Sequence, residues 1–280
     1  MATKIKPLNP QNILFKSLRT GLQPIWWDEI IQSSDVYIEI RKDYQIDVYY
    51  NGGAIFGSTK LVNNCYNWKT HSKYIIKSEY VYDNDPINRI IIGEDKWLDK
   101  IKSNMKKHFP SDSEKGYQAK LRTKKPYFLD TEFAFNDKDN SRCDLIWVDK
   151  SNKNFLVVEL KLPNNKELFD GSIKNQIKKY KDLISNHKNE LEKYFRSLFE
   201  CKREIGILSK ELNLIEDINE YTMADKPLLV VGDCNQEWIN QNHKSINNAV
   251  KDNAVGVYYF GNPNQCNIIK KTKKNRFIFE

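Results

Sequence analysis

The sequence predicts an α/β fold: a mixed central sheet flanked by helices, preceded by a β-rich N-terminal region. Three observations support this. From about residue 94 the apolar patterns run in the order α, β, β, β, α, β, β, which suits a mixed sheet with helices on both faces. Within that run, Leu145-Ile146-Trp147-Val148 and Phe155-Leu156-Val157-Val158 read as two strands joined by a polar turn. Before it, short alternating strands surround the tight-turn signal Asn51-Gly52-Gly53.

In chain order, residues 36–40 and 46–50 are strand-like, and Ala54-Ile55-Phe56 resumes a strand after the turn. Tyr74-Ile75-Ile76 is a further strand candidate. The aromatics Trp26, Trp27, Tyr44, Tyr49, Tyr50 and Trp68 have two readings: a base-stacking surface or ordinary core. The pattern changes near Asp85-Pro86, which suggests two domains. Residues 1–90 are expected to form a β-rich N-terminal module with a role in binding, and residues 91–280 a second domain that holds the functional site.

Residues 94–108 place Trp97, Leu98, Ile101 and Met105 at helical spacing. Pro110-Ser111 breaks that pattern, and a second helix starts at Ser111. Strands follow at about 126–135, 142–149 and 154–162. From Gly171 a long helical pattern carries Ile173, Ile177, Tyr180 and Ile184, and a further helix carries Leu191, Tyr194, Phe195 and Leu198. Short buried strands are expected at 227–232 and 254–260.

The chain has 280 residues, 40% hydrophobic and 12% aromatic, so a sizeable core is available and disorder is not expected. Lys+Arg 45 against Asp+Glu 37 gives a formal net charge of +8, which suits a polyanionic partner. The five cysteines are scattered without a Cys-x-x-Cys, and with four histidines they form no zinc pattern. Dispersed, odd-numbered thiols point to a reducing, cytoplasmic setting. No run approaches 18 apolar residues and no signal-peptide core opens the chain, so no membrane partner is expected.

Residues 141–161 carry the chemistry. Strand side chains alternate, so Arg142, Asp144, Ile146 and Val148 share one face, and Phe155, Val157, Glu159 and Lys161 share another. If the two faces coincide, Asp144, Glu159 and Lys161 converge. Two carboxylates and an ammonium on apolar strands are costly unless compensated, and a divalent cation or a phosphate compensates them. Glu94-Asp95-Lys96 repeats the Glu-x-Lys spacing but precedes a helical pattern, whereas Glu159-Leu160-Lys161 ends a strand.

Asp144 followed by Glu159-Leu160-Lys161 resembles the PD-(D/E)XK nuclease superfamily, with an acid on one strand and an acid-x-lysine on the next. Cys143 stands where proline would be in that signature. Arg142-Cys143-Asp144 is similar to the Arg-x-Asp form of its NucS-type and restriction-endonuclease-like branches. The resemblance implies a restriction-endonuclease-like core and a metal-dependent endonuclease that hydrolyses phosphodiester bonds. DNA is the expected partner, in defence, restriction or repair, with RNA, an oligomer and a defence or repair complex left open. It also implies Mg²⁺, with Mn²⁺ as a substitute, held by Asp144, Glu159 and the Leu160 carbonyl, with Lys161 beside the attacking water.

The same resemblance assigns a glutamate on the preceding helix. Glu114 is the candidate, on one stripe with Tyr117, Gln118 and Leu121, but Ser111-x-x-Glu114 also reads as a capping box. Glu132, with Asp130 on its face, is the rival third carboxylate and a further metal ligand. Gln176 matches the family glutamine on the next helix. Arg142, Lys178, Lys179 and Tyr180 are candidate nucleic-acid contacts, and the lysine-rich stretches 173–181, 188–203 and 270–276 are either a phosphate track or solvated faces. The alternative is a nuclease-fold protein without catalysis, acting as a nucleic-acid-binding or assembly module.

Overall fold

A computed structural model of the chain describes residues 5–71, 74, 80–82, 95–135 and 141–261. Asp85-Pro86, Ile75, Ile76, Cys266 and the 270–276 lysines lie outside the described residues. The chain is α/β and divides into two compact units. One comprises Leu8–Thr123 and Ser197–Leu208, here the N-terminal unit; the other comprises Met1–Pro7, Lys124–Arg196 and Ser209–Glu280, here the site unit. The expected module 1–90 shares its strands with the N-terminal unit, which also holds residues up to 123 and 197–208.

The N-terminal unit begins with two short helices, α1 (Ile13–Arg19) and α2 (Trp27–Gln32), which the strand-based reading of this region did not include. Among the described residues an antiparallel sheet follows in chain order: β1 (Val36–Arg41), β2 (Gln45–Tyr50), β3 (Gly53–Val62), β4 (Cys65–His71) and β5 (Tyr80–Tyr82). Asn51 at φ 51° and Gly52 at φ 87° make the hairpin turn that their sequence signals, because paired positive φ matches the twist of the flanking strands. Asn63 and Asn64, at φ 49° and 62°, repeat the device between β3 and β4. The aromatics are mostly core: Trp26, Trp27, Tyr50 and Trp68 are buried, and Trp26 stacks on Phe56 at 4.5 Å.

Two helices complete this unit. α3 (Trp97–His108) buries Trp97, Leu98, Ile101 and Met105, the four positions its periodicity marks. α4 spans Glu114–Lys124, not from Ser111. Pro110 to Ser113 form a turn instead, closed by the Ser113 N–H on the Pro110 carbonyl at 3.1 Å. The Ser113 hydroxyl then accepts the Gly116 N–H at 3.1 Å, so Ser113 is the capping residue and the Ser111 capping box does not form. Gly116 is needed there: a Cβ would lie 2.5 Å from the Pro110 carbonyl oxygen.

The site unit is built on a mixed sheet. β6 (Phe128–Ala134), β7 (Arg142–Asp149) and β8 (Asn154–Lys161) run antiparallel. The helix α5 (Ser172–Glu204) follows, its residues up to Arg196 belonging to this unit and the rest to the N-terminal unit; its backbone is non-helical at His187, which separates the two periodic segments read from the sequence. Beyond the short α6 (Lys210–Asn213) come β9 (Thr222–Met223), β10 (Leu228–Val231), α7 (Gln236–Val250) and β11 (Gly256–Tyr259). The strand order is β11-β10-β8-β7-β6, with β10 parallel to both β8 and β11. β8 is buried along nearly its whole length, as its unbroken apolar run requires of a central strand.

α7 is the crossover that the parallel β10–β11 pair demands. Asn235 caps it, its side chain accepting the Trp238 N–H at 2.8 Å. Leu229, Val231, Val257 and Tyr259 of the sheet pack with Ile173 and Ile177 of α5 and with Ile239, Ile246 and Val250 of α7. Each such side chain contributes about 1.5–3 kcal/mol on full burial. This core fixes α5 on the sheet face that also bears the acids.

Candidate active site

β7 and β8 position the carboxylates. Their register pairs Ile146 with Val157 and Val148 with Phe155. Residues 144, 146 and 148 therefore share a face with 155, 157, 159 and 161. The regular ladder ends at Leu145–Val158, and beyond it the Asp144 side chain replaces a backbone acceptor. Its Oδ2 accepts the Leu160 N–H at 2.8 Å. The bond pins Asp144 to the residue between Glu159 and Lys161.

Glu159 is 2% exposed and Lys161 5%, while Asp144 is half-buried. Lys161 Nζ lies 2.8 Å from Glu159 Oε1 and 2.6 Å from Glu167 Oε2. Glu159 Oε2 is buried and accepts no hydrogen bond among the described residues. Burial of an ion costs several kcal/mol unless a partner is in place, and the strand end places one here. Sequence reasoning missed Glu167. The signal was present: Pro163-Asn164-Asn165 is a turn sequence, and a tight turn returns the next residues to the strand end they have just left.

α5 supplies the next part. Gln176 Nε2 donates to the Tyr180 hydroxyl at 3.2 Å, and that hydroxyl donates to the Arg142 carbonyl at 2.6 Å. Tyr180 is 3% exposed and stacks on Phe135 at 5.7 Å. Burial, and then the charges of Glu159 and Asp144, push its phenol far above the usual range. It stays protonated and ties Gln176 to the start of β7. That buried geometry does not offer the ring for stacking on a base. Tyr180→Phe should remove the donor to the Arg142 carbonyl and cost about 0.5–1.5 kcal/mol. The check is its melting temperature beside its cleavage rate, and both should fall.

The remaining candidates divide. Arg142 and Lys178 are exposed and Lys179 is half-buried. Glu132 has φ 56° inside β6, between the Thr131–Leu145 and Phe133–Cys143 pairs, so it stands across from Asp144. A left-handed residue other than glycine costs about 1–3 kcal/mol and persists only where its surroundings impose it. Asp130 is 1% exposed, its Oδ1 accepting the Thr131 N–H at 2.9 Å. Cys143 is fully buried, and its thiol is raised well above the ordinary range by burial and then by Asp144, Asp130, Glu159 and Glu132. It is therefore held as a neutral thiol, unsuited to nucleophilic work. Glu114 belongs to the N-terminal unit, whereas Asp144, Glu159, Lys161, Gln176 and Glu132 belong to the site unit.

Among the described residues, no group of three or more His, Cys, Asp and Glu side chains is arranged to hold a metal ion. The donors at the strand end are Asp144, Glu159 and the Leu160 carbonyl, a hard oxygen set whose chemistry suits Mg²⁺ or Mn²⁺. A cation there would compete with Lys161 for Glu159 and with the Leu160 N–H for Asp144. A separate cavity of about 560 Å³, lined by Tyr127, Trp147, Leu156 and Tyr258, lies toward the Asp149 end of β7 and includes none of these acids. The chain matches no family model, no curated protein and no solved structure.

Proposed function

We propose that the chain is a PD-(D/E)XK-type nuclease that hydrolyses phosphodiester bonds in DNA with Mg²⁺, in defence, restriction or repair. The observation behind this reading is the pinning of Asp144, Glu159 and Lys161 on one sheet face by the Asp144–Leu160 bond and the Lys161–Glu159 pair. Within the site unit, the order of three antiparallel strands, a long helix and a parallel strand supports a restriction-endonuclease-like core. The net charge of +8 suits a polyanion. The four described cysteines are free thiols, in keeping with a cytoplasmic protein. No helix of the described residues is long and apolar enough to cross a membrane.

Asp144, Glu159 and the Leu160 carbonyl would hold the ion, with Glu132 as a further carboxylate. Bound there, Mg²⁺ supplies Lewis acidity and acidifies a water. Lys161 orients that water or neutralises charge gathering on the phosphate. Gln176, held by Tyr180, offers an amide to a phosphate oxygen. Arg142 and Lys178 face solvent and are available for phosphate contacts, with Lys179 beside them.

The deciding experiment is cleavage by the full chain of duplex, single-stranded and branched DNA and of RNA, with Mg²⁺, with Mn²⁺ and with EDTA. Ion-dependent cleavage that EDTA abolishes supports the reading. DNA binding without cleavage under every condition would replace it with a binding or assembly module. The third carboxylate is tested by Glu132→Gln and Glu114→Gln. Glu132→Gln should lower the rate about 10-fold or more, with little change in melting temperature. Wild-type turnover in Glu132→Gln, with a loss in Glu114→Gln, would return that role to the helix residue.

A further inference from the structure

We infer that Glu167 is a positioning residue of this site: it holds the Lys161 ammonium in place when Glu159 is taken up by a divalent cation. The inference rests on the nuclease reading for its role in turnover, and on geometry for the contact itself. Lys161 Nζ sits between two carboxylates, Glu159 Oε1 at 2.8 Å and Glu167 Oε2 at 2.6 Å. The two differ in surroundings. The Glu159 side chain is 2% exposed, whereas that of Glu167 is 46% exposed.

The backbone of Glu167 is firmly held. It lies in a 3-10 turn, Lys166–Leu168, whose cap Asn165 accepts the Glu167 N–H on its side-chain oxygen at 3.0 Å. The Asn165 N–H closes onto the Leu162 carbonyl at 2.9 Å, just past the end of β8. Leu168 is 2% exposed and packs with Ile173 and Ile177 of α5. The carboxylate is thus carried on a short, anchored segment.

The physical need follows from the competition for Glu159. If Glu159 were the ammonium's one carboxylate, a cation arriving there would have to displace a buried ammonium from its counter-charge. That ammonium would then stand desolvated beside a divalent ion, at a cost of several kcal/mol. A second carboxylate at 2.6 Å removes the difficulty. Lys161 keeps its partner and its position, and Glu159 is released to the ion. Glu167, being half-exposed, carries little desolvation cost of its own. It does not touch the reacting atoms, and acts through Lys161.

The test uses the full chain with Glu167→Gln, which keeps shape and removes charge, and Glu167→Asp, which keeps charge. Lys161→Ala is the reference. Mn²⁺ affinity is read by calorimetry, kcat and KM by cleavage, and the restraint on Lys161 by its rate of acylation, located by mass spectrometry in metal-free protein. Glu167→Gln should weaken Mn²⁺ binding several-fold, lower kcat about 10-fold with KM unchanged, and raise Lys161 acylation several-fold. Glu167→Asp should recover part of each effect. If Lys161→Ala is inactive while Glu167→Gln binds Mn²⁺, turns over and acylates as the wild type does, the inference is wrong and the nuclease reading stands. If the wild type cleaves nothing, the nuclease reading and the turnover role fall together. The acylation rate then decides the contact alone: unchanged labelling in Glu167→Gln shows that Glu167 does not hold Lys161.

Discussion

Asp144→Ala should lower the DNA cleavage rate by at least ~10³-fold, roughly 4 kcal/mol of barrier, if the proposed nuclease function holds. The side chain has two duties, and they separate experimentally. It is a proposed metal ligand, and its Oδ2 accepts the Leu160 N–H where the β7–β8 ladder has ended. Alanine removes both, so part of any loss could come from a strand end that loosens by about 1–3 kcal/mol. Asp144→Asn keeps an oxygen for that N–H and removes the charge. It should match alanine in rate and the wild type in melting temperature. An alanine variant that cuts as fast as the wild type in Mg²⁺ would end the nuclease assignment. Lys161→Ala belongs beside it: turnover should be abolished with DNA binding retained, because one ammonium is a small part of a multi-phosphate footprint. Lys161→Arg should not rescue. The slot between Glu159 and Glu167 leaves the lysine side chain 7% exposed and fits a compact ammonium rather than a planar fork.

The elements that sequence patterning located share a physical feature: their signal is local. β6, β7 and β8 fall within a residue or two of their expected limits, because apolar runs bounded by Pro126 and the Lys150–Asn152 turn define them. Alternation placed Asp144 on one face of its strand and Glu159 on one face of the next, but that the two faces coincide depends on the hairpin register, which the pairing of Ile146 with Val157 supplies. What escaped was set by tertiary context. α7 is rich in Asn, a weak helix former, and its buried Ile239, Ile246 and Val250 are widely spaced, so the fold's need for a crossover outweighs propensity. The start of α4 was displaced because Ser113, not Ser111, caps it, a choice that depends on Gly116 admitting the Pro110 carbonyl. The positive φ of Glu132 has no sequence mark, since nothing local distinguishes it from its neighbours in an apolar strand. Tyr180 had a marked helical position, but whether its hydroxyl would face DNA or the Arg142 carbonyl depended on the placement of β7.

Lys202 shows the same limit most sharply, and it yields the largest expected effect on stability. Within a lysine-rich stretch its type suggests a solvated face or a phosphate contact. In the N-terminal unit it is 0% exposed, with its ammonium on the Glu39 carboxylate of β1 and 3.4 Å from the Ile38 carbonyl. Glu39 is also 0% exposed and takes the Arg122 Nε from α4 at 2.9 Å. One buried anion thus joins two cations from separate elements. Removing a partner from such a set leaves charge uncompensated in the interior, which costs about 3–5 kcal/mol against a total stability of about 5–15. Glu39→Ala should be the most damaging change, because two cations lose their common anion. Lys202→Ala should follow, since Arg122 still serves Glu39 but a cavity opens. Lys202→Met fills the volume without the charge and should lose least. The order is read from chemical denaturation of the full chain. All three should cleave at the wild-type rate well below their melting temperatures, because none of these residues belongs to the site unit. If Lys202→Ala denatures at the wild-type midpoint, the triad is a contact of convenience and the stability of this unit rests on its aromatic core around Trp26 and Phe56.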